Sequence, residues 1–292
     1  MRLGVSIAQS GRLADPAAIR SAATGAEQVG YSSVWVVDRL GGARPDLSTM
    51  LDPLTVLTYA AACTTRVRLG TSVLVAPWYR PALLARSLTS LEVLSDGRLT
   101  VGLGLGATLD EFAAVGVPQR ELGRRLDDAL DVLEATWGAA RPGGIAPTLG
   151  MAGDPTVTAL APRRPPVLLA ASTREGLDRV ARRADGWNPS GLPNDMLAPM
   201  WATVRDLAAG HGRDPDALQL VVRATLDVRD RPVDGDRAPY CGTVEQVAAD
   251  LADTRRAGAH EVILGVECDN CLDEALDLYA RVAEACDVTT AA

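Results

Sequence analysis

The sequence contains no lysine, because all 29 of its basic residues are arginine. Schiff-base chemistry through a lysine amine is therefore excluded. The net charge is −8, and no cluster of basic residues with interleaved aromatic residues occurs along the chain. A nucleic-acid-binding surface needs such a positively charged stripe. We therefore expect no nucleic-acid partner.

Long apolar runs are missing as well. None approaches the roughly 18 residues of a membrane span, and the N-terminal stretch MRLGVSIAQSG lacks the apolar core of a signal peptide. The five cysteines are an odd number and are spread thinly. This usage is typical of a reduced compartment, so we expect a cytoplasmic protein without membrane contact.

Metal-ligating and nucleophilic patterns are sparse. Cys268 and Cys271 form a C-x-x-C, but no second C-x-x-C occurs and the sequence has only two histidines, His211 and His260. A closed zinc site needs four ligands, so we predict no metal, and two unrelated thiols are favoured over a redox pair. No G-x-S-x-G occurs, which argues against a serine triad. His260 precedes a strand and is expected to be structural.

Short β-branched or apolar runs alternate with helical stretches along the chain. The predicted strands are 2–8, 33–38, 66–75, 98–106, 166–172, 184–188, 218–228 and 261–266. The predicted helices are 16–29, 53–63, 81–94, 121–137, 174–183, 193–209, 243–257 and 271–285. Asp15 with Pro16, and Asp52 with Pro53, provide the N-cap and first-turn proline of two of these helices.

Eight strand–helix units in 292 residues predict a single domain, a (β/α)8 TIM barrel with parallel strands. A doubly wound sheet is the alternative fold. Residues 138–165 are rich in glycine, proline and alanine and lack helical periodicity. We interpret this stretch as an insertion between strands four and five.

A glycine alternation within strand four bears on function. The run VGLGLG places Gly102, Gly104 and Gly106 two residues apart, whereas a dinucleotide-binding loop requires G-x-G-x-x-G after a strand. In a barrel strand these glycines would face inward, while Val101 and Leu103 would face the helices. Inward glycines create space near the barrel mouth, where ligands bind.

Three segments carry a family resemblance: SVWVVD at 33–38, the run of residues 68–112 that contains LSDGRLTVGLGLG, and residues 165–191 with RRADGWN. Together they resemble the bacterial-luciferase-like superfamily, and most closely its coenzyme F420-dependent oxidoreductases. The resemblance covers most of the chain. It implies a (β/α)8 barrel, a cofactor ring at the C-terminal mouth and a homodimer.

The resemblance also implies catalytic positions at the end of strand two. Asp38 corresponds to a residue that touches the cofactor or an adjacent catalytic group, so Asp38 and Arg39 are the predicted catalytic residues. Family members often have a histidine after this aspartate, which could move a proton at neutral pH. Arg39 can bind an anion instead but cannot act as an acid or base.

Further cofactor contacts follow from the same comparison. The resemblance implies a cis peptide bond between Ser72 and Val73. Some relatives have a glutamate as proton donor where this chain has Ala107; Asp110 or Glu111 could replace it. The predicted cofactor-binding residues are Asp38, Thr71, Ser72, Val73, Gly104, Gly106, Ala107, Asp110, Ala170, Ala171, Ser172 and Thr173. Ser172 and Thr173 also precede a helix, whose N-terminus could receive a phosphate.

Aromatic and amide side chains near the strand ends are predicted to form the substrate pocket. They are Trp78, Tyr79, Trp187 and Asn188. The predicted function is hydride transfer between F420 and a small organic substrate, with the protein acting as a reductase. Two alternatives stay open: an FMN-dependent monooxygenase, and a cofactor-binding protein without catalysis.

Overall fold

The protein is described from a computed structural model, which covers residues 1–41, 50–138, 163–235, 237–266 and 272–285. The strands are Arg2–Ser6 (β1), Ser33–Val36 (β2), Arg68–Thr71 (β3), Leu74–Val75 (β4), Leu99–Gly104 (β5), Val167–Leu169 (β6), Gly186–Trp187 (β7), Gln219–Val228 (β8), Cys241–Gly242 (β9) and Glu261–Val266 (β10). The helices are Pro16–Val29 (α1), Pro53–Cys63 (α2), Pro81–Leu94 (α3), Leu109–Ala114 (α4), Leu122–Gly138 (α5), Arg174–Arg183 (α6), Asn194–Gly210 (α7), Val244–Arg256 (α8) and Leu272–Ala285 (α9).

Eight of these strands form a closed parallel barrel in the order β1, β2, β3, β5, β6, β7, β8 and β10. Closure is made by β10, which pairs with β1 on one side and with β8 on the other. β4 continues the line of β3 and pairs with β5. The predicted (β/α)8 fold is confirmed.

Local capping signals decide where the helices begin. The Asp15 carboxylate accepts hydrogen bonds from the backbone N–H groups of Ala17 and Ala18, at 2.9 and 3.1 Å. Gly30 ends α1 in the left-handed region, at φ 96°, which costs a glycine little. Thr243 and Gln246 form a reciprocal capping box at the start of α8.

Two separate apolar regions hold the barrel together. Val101 and Leu103 are fully buried in the larger one, between the sheet and the surrounding helices. The barrel interior contains a small layer of Trp35, Leu168, Val221 and Ile263.

A buried carboxylate lies inside the barrel beside Trp35. Glu261 accepts hydrogen bonds from Ser33 and Arg68 and forms an ion pair with Arg2. Because Glu261 begins β10, this cluster lies at the end of the barrel opposite the strands' carboxyl ends and serves stability rather than chemistry.

Several predicted strands are too long. Predicted strand three is two short strands, β3 and β4, interrupted at Ser72 and Val73. Strands five and six end at Leu169 and Trp187, so that Ala170, Ala171 and Asn188 belong to the loops that follow. The prediction also missed α4 and β9. Residues 139–162 of the expected insertion lie outside the described residues, as do Cys268 and Cys271.

No helix in the described part of the chain combines the length and the apolar character that crossing a membrane requires. His260 is placed as expected. Its Nδ1 accepts a hydrogen bond of 3.0 Å from the backbone N–H of Leu220, and its ring packs edge-on against Trp201.

Candidate active site

A cavity of about 700 Å³ opens at the carboxyl ends of the barrel strands. This is the end at which (β/α)8 enzymes bind their ligands. Its lining includes residues after β2, β3, β5, β6 and β7, Val75 of β4 and the inner face of β8. The lining residues that carry charge are Asp38, Arg39, Glu111, Glu175, Arg179 and Arg223. None of the described lining residues is a histidine, cysteine, tyrosine or lysine.

The interruption between β3 and β4 forms part of the cavity wall. The peptide bond between Ser72 and Val73 is cis, as predicted. Thr71 Oγ1 fixes this segment to β5, because it donates to the Gly102 carbonyl at 2.8 Å and accepts from the Gly102 N–H at 2.9 Å. Ser72 and Val73 line the cavity, whereas Thr71 lies behind them.

The inward glycines of β5 make room for this same segment. A Cβ atom on Gly102 would lie 2.0 Å from the Thr71 carbonyl oxygen, and one on Gly104 would lie 2.6 Å from Val73 Cγ2. The space that these glycines leave is therefore largely occupied by the chain itself. Gly104 and Gly106 line the cavity, but Gly102 does not.

Asp38 is a buried carboxyl group in the cavity wall, 8% exposed. Its Oδ2 accepts hydrogen bonds of 2.9 Å from both the Val75 N–H and the Tyr79 hydroxyl. Burial raises the pKa of Asp38 to about 6, despite these two hydrogen bonds, and the negative charges of Asp52 and Glu111 act in the same direction. Asp38 can therefore hold or release a proton near neutral pH.

Arg39 lies at the cavity mouth and is held by α4. Its Nε is 3.6 Å from Glu111 Oε1, and its Nη2 is 3.3 Å from Thr108 Oγ1. Glu111 Oε1 also accepts a hydrogen bond of 2.9 Å from the Leu40 N–H. Glu111 and Ala107 both line the cavity. Asp110 does not reach it, so Glu111 is the carboxyl group that fills this part of the site.

Asn188 links β6 and β8 to the segment between β3 and β4. Its backbone N–H donates to the Leu169 carbonyl of β6 at 2.9 Å. Its side-chain Nδ2 donates to the Val221 carbonyl of β8 at 2.7 Å. Its Oδ1 accepts a hydrogen bond of 2.8 Å from the Ser72 hydroxyl.

The loop between β6 and α6 forms the opposite wall. Ala170, Ala171, Ser172 and Thr173 all line the cavity. Thr173 caps α6, because its Oγ1 accepts a hydrogen bond of 3.2 Å from the Gly176 N–H. The N-terminus of α6 therefore opens toward the cavity, and helix N-termini favour negatively charged groups.

Three of the four aromatic and amide residues predicted to form the pocket lie elsewhere. Trp187 is fully buried, stacks on Trp201 and donates to the Ala171 carbonyl at 2.9 Å. Trp78 and Tyr79 are absent from the lining, although Tyr79 reaches the site through Asp38. Only Asn188 of this set lines the cavity.

The sequence prediction also missed charged residues that line the site. Arg179 projects from α6 and is paired with Asp127 of α5 at 2.7 Å. Arg223 projects from the inner face of β8. The alternation in strand 218–228 could have identified Arg223, because Arg223 lies two residues after the inward-facing Val221.

Comparisons with known proteins agree with this architecture. The family model of luciferase-like monooxygenases matches residues 1–235. An uncharacterized protein of Mycobacterium tuberculosis is 33% identical over 226 residues, which are 69% of this chain and 77% of that protein. The F420-dependent hydroxymycolic acid dehydrogenase of the same organism is 31% identical over 206 residues, which are 67% of this chain and 55% of that enzyme.

A solved structure supports the fold over the whole chain. The monooxygenase RslO1 from Streptomyces bottropensis superimposes with a TM-score of 0.78, at 22% identity and with 99% of each chain covered.

Proposed function

The chain belongs to the luciferase-like monooxygenase family, and on that premise we propose that it is a reductase that uses coenzyme F420. Its substrate would be a small molecule with a carbonyl group or an activated double bond. The observation that carries the proposal is Asp38, a proton-exchanging group with a pKa of about 6 in the wall of the cavity beside the Ser72–Val73 segment.

The residues of the cavity fit such a cofactor in size and in chemistry. A volume of about 700 Å³ accommodates a tricyclic ring together with a small substrate. Val73, Gly104 and Ala170 line the cavity with small or apolar side chains and would pack against the ring. Ser172, Thr173 and the N-terminus of α6 would hold the negatively charged tail.

The chemistry of the proposed reaction is divided between cofactor and protein. When bound, reduced F420 supplies the hydride. The protein supplies the proton, so that two electrons and two hydrogens are added to the substrate. Because both hydrogen bonds to Asp38 are made at Oδ2, we assign the proton transfer to Oδ1. Arg39 would bind an anionic group of the ligand, since it cannot exchange protons near neutral pH.

Deuterium transfer tests this proposal. The purified protein would be mixed with reduced F420 carrying deuterium at C5 and with a panel of aldehydes, ketones and enones. Oxidation of the cofactor with deuterium in the product supports the reductase. Turnover only with reduced FMN and oxygen would instead support a monooxygenase. If no substrate were turned over although F420 was bound, a cofactor-binding protein without catalysis would be the better description.

We further propose that the chain forms a homodimer through α2 and α3, which pack side by side. No residue of α2 carries a charge, and its exposed positions include Thr55, Thr58 and Ala62. The exposed face of α3 includes Leu83, Val93 and Leu94, which are 53%, 43% and 68% exposed. Arg86, Ser87 and Ser90 are exposed on the same helix, so the surface is mixed, and its exposed leucine and valine side chains favour a partner surface of the same kind.

A further inference from the structure

The orientation of the Asn188 amide is determined by its partners. The Val221 carbonyl can only accept hydrogen bonds, so the atom of Asn188 that lies 2.7 Å from it must be the NH₂ group. The oxygen Oδ1 therefore faces Ser72, 2.8 Å from its hydroxyl oxygen. Asn188 is buried, at 2% exposure. Turning its amide over would place Oδ1 against the Val221 carbonyl oxygen, and two acceptors cannot form a hydrogen bond.

The hydroxyl group of Ser72 donates its proton to Asn188 Oδ1. An oxygen that faces Asn188 Oδ1 must donate its single proton there, and a serine hydroxyl has only one. What Ser72 Oγ can still offer to the cavity is its lone pairs. Both Ser72 and Asn188 line the cavity, so this polarity is presented to the ligand.

We propose that the Ser72 hydroxyl, oriented by Asn188, is an acceptor-only site in the cavity wall, which selects a ligand presenting a C–H, N–H or O–H group over one presenting a lone pair. This inference rests on the proposed function, in that the cavity binds a ring cofactor. Asn188 is a positioning residue in this arrangement, because it acts on the ligand through Ser72. The site would favour F420 over FMN, since the central ring carries a C–H in F420 and a nitrogen lone pair in FMN.

Dissociation constants of oxidised F420 and FMN test the site without any turnover. They would be measured by fluorescence for the wild type, Ser72→Ala and Asn188→Leu. Ser72→Ala removes the lone pairs, and Asn188→Leu frees the Ser72 proton to point into the cavity. Thr254→Val is the matched control: it removes a fully buried hydroxyl that pairs with the Tyr240 hydroxyl and the Asp250 carbonyl, away from the cavity lining.

The ratio of the FMN to the F420 dissociation constant is the decisive quantity. We expect it to fall roughly three- to tenfold in Ser72→Ala, the effect of one hydrogen-bonding mismatch. In Asn188→Leu it should fall at least as far. Thr254→Val should lower the melting temperature and leave the ratio unchanged.

Two results would overturn the inference. If the wild type binds F420 but the ratio of the FMN to the F420 dissociation constant is unchanged in both variants, the acceptor-only site is refuted and the proposed function stands. If the wild type binds neither cofactor, both the proposed function and the acceptor-only site are refuted. If Asn188→Leu does not fold, Ser72→Ala alone decides, because it deletes only one oxygen atom.

Discussion

Replacing Asp38 by asparagine should stabilise the folded protein at alkaline pH. Burial raises the pKa of Asp38 from 3.8 to about 6. The folded state therefore binds the proton more tightly than the unfolded state. The stability that this provides is fully present below pH 3.8 and is lost as the pH rises through about 6. Asparagine is close in shape and keeps an acceptor for Val75 N–H and the Tyr79 hydroxyl.

The size of the effect follows from the shift in pKa. A difference of about 2 pKa units corresponds to about 3 kcal/mol at pH 8, at 1.36 kcal/mol per unit. At pH 5 most of the Asp38 carboxyl is still protonated in the folded state, and the same calculation leaves roughly half of this difference. The stability advantage of Asp38→Asn should thus grow by about 1 to 2 kcal/mol between pH 5 and pH 8.

Urea unfolding followed by tryptophan fluorescence at the two pH values measures this difference. Asp127→Asn is the control, because the hydrogen bond from Arg179 holds the pKa of Asp127 below its usual range. That variant should be less stable than the wild type by the same amount at pH 5 and pH 8. An advantage of Asp38→Asn that does not change with pH, or a loss of stability at pH 8, would refute the assignment of Asp38 as a buried, proton-exchanging carboxyl.

Three further outcomes are expected. Tyr79→Phe removes a hydrogen bond that favours ionised Asp38, so the pKa of Asp38, measured by carbon NMR, should rise by roughly one unit; no rise would contradict that contact. Burial raises the pKa of Glu92, so Glu92→Gln should gain stability over the wild type as the pH rises above 4.5, and a loss would count against it. Leu94→Arg should convert a dimer into a monomer in light scattering, whereas an unchanged mass would exclude the α2–α3 interface.

The sequence predicted the helices better than the strands, for a physical reason. α1, α2, α3 and α6 begin and end at the predicted residues. Their boundaries depend on neighbouring residues, such as the Asp–Pro pairs at the starts of α1 and α2. A strand ends where its partner strands stop pairing, which a single segment does not reveal. The predicted strands consequently ran into the loops that form the cavity.

The sequence predicted those parts of the candidate site that follow a strand closely and therefore lie at the carboxyl end of the barrel. Asp38, Arg39 and the 170–173 loop are of this kind, and all of them line the cavity. The roles of Tyr79 and Asn188 depend on contacts 41 and 116 residues away in sequence. Propensity and spacing cannot indicate such pairs. Which of the cavity residues contact the cofactor and which contact the substrate stays a prediction.

The proposed function requires that this cavity bind F420 in preference to FMN. A fluorescence titration of the purified apo protein with oxidised F420, and separately with FMN, tests it most directly. We predict a dissociation constant in the micromolar range or below for F420, with weaker or undetectable binding of FMN. Tighter binding of FMN, or no binding of either cofactor, would contradict the proposed use of F420.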